Sequence, residues 1–484
     1  MAWKRRIYIA AVIVILCIAA IIAALTIAAV VRTHNPGQLN DIADSGIPAE
    51  ASQDADSGHD PESDAESAQL PGADYGDPPG TDADDTESLE PPLPAPDPED
   101  GGDEGVPDPA TDLDAGQDMP EPGYVSPDFS QALDGGLQSA IDAIAKKYGA
   151  VGVQVAVIDK GEVAGSYMYG YATKDSGPME ADTKIRIASL SKVILAMTIM
   201  RLCELGRLDI DADIGEYWGA EVRNPNHSGV PITMRQILSH TSSIRVYDYG
   251  FAAGGELVRS RFLDGSCFGG GAPGSMNSWN YNNYAFAALG LTVEVVTGET
   301  VNSLAEQYLF SPLGIDAAFG SGSISGIDSL ATLYTSGGGV GRSLDAQKRT
   351  LGSTYPGENG EEFPGGLTIS AHDLSKLVAV LVNGGEYCGV RILSPESVDL
   401  MMESQGRTGG FDQCLPLRRL ASCFGEEELY FHTGSNYGVF SLFSYSQVSG
   451  KGVVVLTTGA NGVRDGIGMP KVCAEISKLI YEET

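Results

Sequence analysis

From residue 131 onward the apolar positions fall into helical and strand-like spacings. In GGLQSAIDAIAKKYG, Leu137, Ile141, Ile144 and Ala145 share one helical face and Gly149 closes the run, which predicts an amphipathic helix. VGVQVAVIDKGEVAGSYMYGYA, from Val151, reads as two alternating strands around a Lys160-Gly161 turn, a hairpin pattern. An apolar helix is predicted from Ser189 to Leu205, followed by a long mixed stretch with several short helices. Near the C-terminus, GVFSLFSYS and GVVVLTTGA predict two strands across a Ser-Gly-Lys-Gly turn, and KVCAEISKLIYEE predicts a closing helix. Strands at both ends with helices between them predict an α/β domain of the α+β type. It has one antiparallel sheet built from both ends, flanked by helices, with a mostly helical subdomain inserted.

The pattern before residue 131 is different. Lys4, Arg5 and Arg6 precede an uncharged apolar run from Ile7 to Val31 that Arg32 closes. That run exceeds a signal-peptide core and suits the roughly 20 residues of a spanning helix. Residues 1–32 are therefore expected to be a short cytoplasmic segment and an uncleaved single-pass transmembrane anchor. The basic cluster should stay in the cytoplasm, which places everything after Arg32 outside, at the cell membrane. Residues 33–130, with runs such as SLEPPLPAPDPEDGGDEG, have too few large apolar side chains to form a core. They are expected to be a disordered, self-repelling tether, leaving residues 131–484 as the folded domain.

Charge follows the same division. The formal charge of −35 is concentrated in the tether, whose 27 acidic residues stand without a single Lys or Arg. The folded part carries about −12 and has no basic patch, so nucleic acid is excluded as a partner. Export would permit disulfides among Cys203, Cys267, Cys388, Cys414, Cys423 and Cys473, with Cys414 and Cys423 the nearest candidate pair. There is no C-x-x-C or H-E-x-x-H, so no metal site is expected, and His227, His240 and His372 are read as structural.

Ser189-Leu190-Ser191-Lys192 is an S-x-x-K where a polar segment enters the apolar helix. At this spacing the serine and lysine lie on one helical face. A serine hydroxyl needs a base to become a useful nucleophile, and a lysine serves if burial lowers its pKa. The helix N-terminus adds free N–H groups beside it. No other Lys in the chain has Ser three residues before it.

The surrounding phrase, IRIASLSKVILAMTIMRLCELGRLDIDADIGEYW, resembles the nucleophile helix of the family that joins class C β-lactamases, D-alanyl-D-alanine carboxypeptidases and related esterases. ITMRQILSHTSSI is similar to the family's next segment, with Ser243 where a Gly is usual. PGSMNSWNYNNYAFAALG resembles its second motif, Y-x-N, at Tyr281-Asn282-Asn283, and FHTGSNYGVFS its third, in His-Thr-Gly form. GGLTISAHDLSKLVAVLVNGG resembles the helix before the final strands.

The resemblance implies an acyl-enzyme hydrolase acting on amide or ester bonds without a cofactor. Ser189 would be the nucleophile, Lys192 its base and Tyr281 a proton relay. Asn283 would orient the substrate and Lys192. His432, Thr433 and Gly434 would hold the substrate's carboxylate, and Ser435 would share oxyanion binding with the Ser189 N–H. His in place of the Lys usual in class C β-lactamases favours a small-molecule or cell-wall peptide substrate of the D-alanyl-D-alanine carboxypeptidase or esterase kind, with a class C-like β-lactamase as the alternative. The rival of another class is a non-catalytic protein that senses or binds cell-wall fragments or penicillin.

Overall fold

A computed structural model describes residues 135–174, 177–246 and 254–483. The expected anchor and tether lie outside the described residues, among which no helix is long and apolar enough to cross a membrane. The main helices are α1 (Gly135–Lys147), α2 (Ser191–Glu204), α3 (Asn283–Thr297), α4 (Ala371–Val382) and α5 (Lys471–Glu483). The longer strands are β1 (Gly152–Asp159), β2 (Glu162–Thr173), β3 (Arg418–Leu420), β4 (Leu429–Asn436), β5 (Val439–Ser446) and β6 (Lys451–Thr458).

Among the described residues, nine strands form one antiparallel sheet in the order 406–407, 412–413, β3, β4, β5, β6, β1, β2, 177–178. Its centre pairs β1, from the start of the domain, with β6, from its end, Val155 opposite Val455. The β1–β2 hairpin turns at Lys160-Gly161, both at positive φ, the geometry a two-residue hairpin loop favours. The strands from 406 to 420 extend the sheet beyond β4, and the sequence pattern did not signal them.

Both faces of the sheet are covered, which is why β1 and β6 are buried nearly throughout. Val153, Val155, Val157, Val453 and Val455 pack under α1 and α5, against Ile141, Val472, Ile476 and Ile480. Each such side chain stabilises the fold by about 1.5–3 kcal/mol when fully buried. The alternate residues, Ala156, Ile158, Val454 and Leu456, face the core that holds α2, α3 and α4. Cys414 belongs to this second core and Cys423 to the first. The two thiols stand on opposite sides of the sheet and form no disulfide, a correction to the pairing suggested by their closeness in sequence.

Polar contacts fasten α4 to the segment that leads into α2. Buried Gln154 donates to the carbonyls of Glu180 (2.6 Å) and Thr183 (2.9 Å) and accepts from the Ala371 N–H at 3.0 Å. Asp373 accepts from Lys184 at 2.8 Å and from Lys376 at 2.9 Å, so one carboxylate serves two buried cations. Their charges hold the Asp373 carboxyl below its ordinary range although burial pushes the other way.

Candidate active site

The chain enters α2 through a tight turn rather than directly. Residues Ala188–Leu190 form a 3-10 turn, and α2 proper starts at Ser191. Ala188 has φ +53°, a left-handed conformation costing a non-glycine residue about 1–2 kcal/mol. Four hydrogen bonds hold it: Ile187 N–H to Leu367 O (2.9 Å), Ser441 Oγ to Ile187 O (2.8 Å), Ser191 Oγ to Ala188 O (2.6 Å) and Leu367 N–H to Ser191 Oγ (3.0 Å). Ser191 is fully buried in this brace, whereas Ser189 is partly exposed.

One turn on, Lys192 is completely buried. Its Nζ lies 3.2 Å from Ser189 Oγ, 2.7 Å from Asn283 Oδ1 and 2.6 Å from the Pro364 carbonyl. Two of these partners can only accept. A neutral amine has two N–H bonds, and if Asn283 and Pro364 take them, the lone pair is left for the Ser189 hydroxyl. Burial, and secondarily the charge of Arg418, holds the Lys192 pKa well below its ordinary value. The rings of Tyr281 and Phe286 stand 4.9 and 5.5 Å from the ammonium position.

Asn282 explains why Tyr281 and Asn283 flank it in this geometry. It caps α3 in an extended conformation, its side chain accepting from Ala285 N–H at 2.8 Å, so Asn283 becomes the first helical residue and Tyr281 stays outside the helix. The Asn282 N–H donates to His240 Nδ1 at 3.3 Å, and the His240 ring lies 4.5 Å from that of Tyr281. His240 is thus part of the wall behind Tyr281. Burial raises the Tyr281 pKa, opposed by Arg418 and by a hydrogen bond with Ser189. Nearby Ser243 has φ +63°, the backbone reason a glycine suits this place. Its hydroxyl accepts from Asn224 Nδ2 at 2.9 Å, offsetting part of the strain.

The third wall is β4. Strand β3 pairs with it only from Leu429 to Phe431, so from His432 onward that edge is open to the turn at Ala188–Leu190. A Cβ on Gly434 would stand 2.3 Å from Ser441 Oγ, 2.5 Å from Ile187 O and 3.1 Å from Ser189 N. The contact therefore requires glycine. His432 and Thr433 are buried, and Ser435 is exposed at the rim. His432 Nδ1 lies 2.9 Å from the Thr433 carbonyl and so carries the proton, while buried Nε2 has no hydrogen-bond partner among the described residues. Burial first, then the charges of Arg418 and Lys192, holds the His432 pKa far below its ordinary value, so the imidazole is neutral.

Positive charge comes instead from Arg418, which the sequence reading missed. Its guanidinium lies 4.6 Å from the Phe411 ring and 5.5 Å from that of Tyr281. The neighbouring Arg419 pairs with Asp412 and Glu428. An arginine with no motif around it could not be distinguished from this surface twin. His227, which fits the same loose His-x-Gly pattern as His432, ends a 3-10 turn, Pro225–His227, its Nε2 3.0 Å from Gly270 O.

Three ordered motifs thus converge on one site containing a partly exposed serine, a buried amine, a phenol and a strand edge. A family model described as Beta-lactamase matches residues 137–476, and the chain belongs to that family, a group of serine β-lactamase-fold hydrolases. It is 30% identical over 197 residues to esterase EstB of Burkholderia gladioli, covering 37% of this chain and 49% of the esterase. It is 28% identical over 175 residues to D-alanyl-D-alanine-carboxypeptidase/endopeptidase AmpH of Escherichia coli K12, covering 34% of this chain and 44% of that one. These matches span half or less of the curated relatives. In fold it resembles an octameric penicillin-binding protein homologue from Pyrococcus abyssi, with TM-score 0.56 and 22% identity over 72% of this chain and 77% of that one.

Proposed function

We propose that this protein is a membrane-anchored, extracytoplasmic serine hydrolase that works through an acyl-enzyme at Ser189. The observation that carries the reading is the environment of Lys192, a buried amine 3.2 Å from Ser189 Oγ with fixed acceptors for its own N–H bonds. Ser189 Oγ attacks the carbonyl carbon as its proton passes to Lys192. The N–H groups of Ser189 and Ser435 bind the oxyanion. The bond to the leaving nitrogen or oxygen then breaks, Tyr281 relaying the proton to it, and water later releases the acyl group by the reverse path.

Arg418 supports a finer reading. With His432 neutral, the guanidinium is the cation at the end of the cleft where a leaving group would lie, which favours a leaving group bearing a carboxylate, as in a D-alanyl-D-alanine peptide. The basic cluster before the apolar run Ile7–Val31 supports the location.

The test is a substrate panel of D-alanyl-D-alanine peptide, chromogenic cephalosporin and short-chain ester, run with a fluorophosphonate label on the wild type and Ser189→Ala. Turnover of the peptide or ester, with a label lost in the variant, is expected. Preferred cephalosporin turnover would move the assignment to a β-lactamase. Reversible penicillin binding without any covalent label would make the protein a non-catalytic binder.

A further inference from the structure

Strand β4 gives the cleft two ends. The leaving-group end is marked by His432 and by Arg418, which lies opposite Phe431 in the sheet. Past Ser435 the chain turns back into β5 at Tyr437-Gly438, both at positive φ, and this turn is pinned against residues 334–341. A Cβ on Gly438 would stand 2.1 Å from Tyr334 O, and one on Gly341 2.5 Å from Tyr437 O. The Tyr437 ring is therefore held in place, with the guanidinium of Arg342 4.8 Å from it and that of Arg186 at 5.8 Å.

Beside it opens a cavity of about 450 Å³ whose walls include Tyr437, Arg342, Arg349, Thr350 and Thr354. Three short stretches of chain tie its surroundings to the site. Tyr437 follows Ser435 by two residues, Arg186 precedes Ser189 by three, and the lining residue Glu362 precedes Pro364, the acceptor for Lys192, by two.

The charges of this cavity are unevenly committed. Glu362 is paired with buried Arg186, and Glu358 accepts from Thr354 N–H at 2.7 Å and Thr354 Oγ1 at 2.6 Å. Arg342 donates to Thr350 through one terminal nitrogen, but its buried Nε has no hydrogen-bond partner among the described residues. Arg349 is exposed and forms no ion pair with the described residues. Glu358, whose Thr354 partners are neutral, and Glu361, also in the lining, are the carboxylates that would favour a cation instead.

We propose that this cavity is the acyl-side subsite and that it selects acyl groups ending in a carboxylate, bound by Arg342 and Arg349 beside the Tyr437 ring. The inference rests on the hydrolase reading and adds the chemistry of the acyl half of the substrate. Tyr437 follows Gly434, at the nucleophile, by three positions, so a carboxylate beside its ring stands roughly 10 Å from the scissile carbon.

The experiment uses three thioesters with the same uncharged thiol and an acyl chain of about eight carbons, ended by carboxylate, carboxamide or ammonium. Acylation of Ser189 is followed by intact mass and kcat/KM by thiol release. The wild type should prefer carboxylate over carboxamide about tenfold, as expected for a charge-assisted contact. Arg349→Gln and Arg342→Gln should each remove most of that preference. Circular dichroism checks that both variants fold, and the readout is the carboxylate-to-carboxamide ratio. Equal rates for all three thioesters, preference for ammonium, or a carboxylate preference that survives both substitutions would overturn the subsite. Failure of every thioester to acylate Ser189 would instead overturn the hydrolase reading beneath it.

Discussion

Burial acts in opposite directions on the two bases that could serve Ser189. It favours neutral Lys192 and disfavours the Tyr281 phenolate, which supports the amine as the base in the proposed mechanism. Lys192→Ala should therefore lose acylation by an activated ester more completely than Tyr281→Phe, which should keep a measurable rate and also slow deacylation. A Tyr281→Phe variant that is dead while Lys192→Ala retains much of its rate would reverse the roles. Arg418 adds a pH signature. Lys192 must be neutral to accept the proton, so the rate rises with pH through its depressed pKa. Removing the nearby charge in Arg418→Gln raises that pKa and should move the acidic limb of the acylation profile to higher pH. The profile is measured with an ester whose leaving group is uncharged. A limb that stays in place would mean that the guanidinium does not act on Lys192.

Among the elements, β4 and the turn before α2 form the most demanding contact, and Gly434 sits at its centre. In Gly434→Ala the added methyl meets Ile187 O and Ser189 N, both backbone atoms that cannot rotate away. The strand or the turn must shift, at about 1–3 kcal/mol, and the oxyanion donors move with it. We expect kcat for the activated ester to fall about 100-fold or more, with a folded protein by circular dichroism. Near-normal turnover would show that the two backbone N–H groups do not form the oxyanion site. The S-x-x-K spacing, the hairpin turn at Lys160-Gly161 and the closing helix were legible because each depends on residues a few positions apart. The strands at 406–420 were not, since two- and three-residue strands leave no period to read.

The whole domain also carries a buried acid whose ionisation opposes folding. Glu294 on α3 accepts from Val301 N–H (3.0 Å) and Gly357 N–H (2.8 Å), yet burial pushes its pKa up to about 7. A folded pKa above the unfolded value makes this stabilisation complete below the unfolded value, near 4.5, and progressively lost as pH rises through about 7. The melting temperature should decline between about pH 5 and 8, a loss on the order of 3 kcal/mol, and decline less in Glu294→Gln. An unchanged slope in the variant would assign the effect elsewhere. At this scale the expected tether is tested by deletion: the chain from Gln131 onward should hydrolyse the activated ester at the wild-type kcat/KM. Loss of activity would give residues 1–130 a part in the reaction.

The order of the motifs and their local phrases determined the family, the two-ended sheet, and eight residues that converge on one cleft. Helix spacing placed Ser189 beside Lys192, and the resemblance to the family implied that the motifs at Tyr281 and His432 join them. Only the tertiary structure decided which groups carry charge there. Arg418 enters from a short strand that sequence could not foresee, and the pKa of Lys192 and the neutrality of His432 depend on burial among Pro364, Phe286 and His240. Desolvation and Coulomb interactions act through space between distant segments, so they exist only once the sheet has brought those segments together.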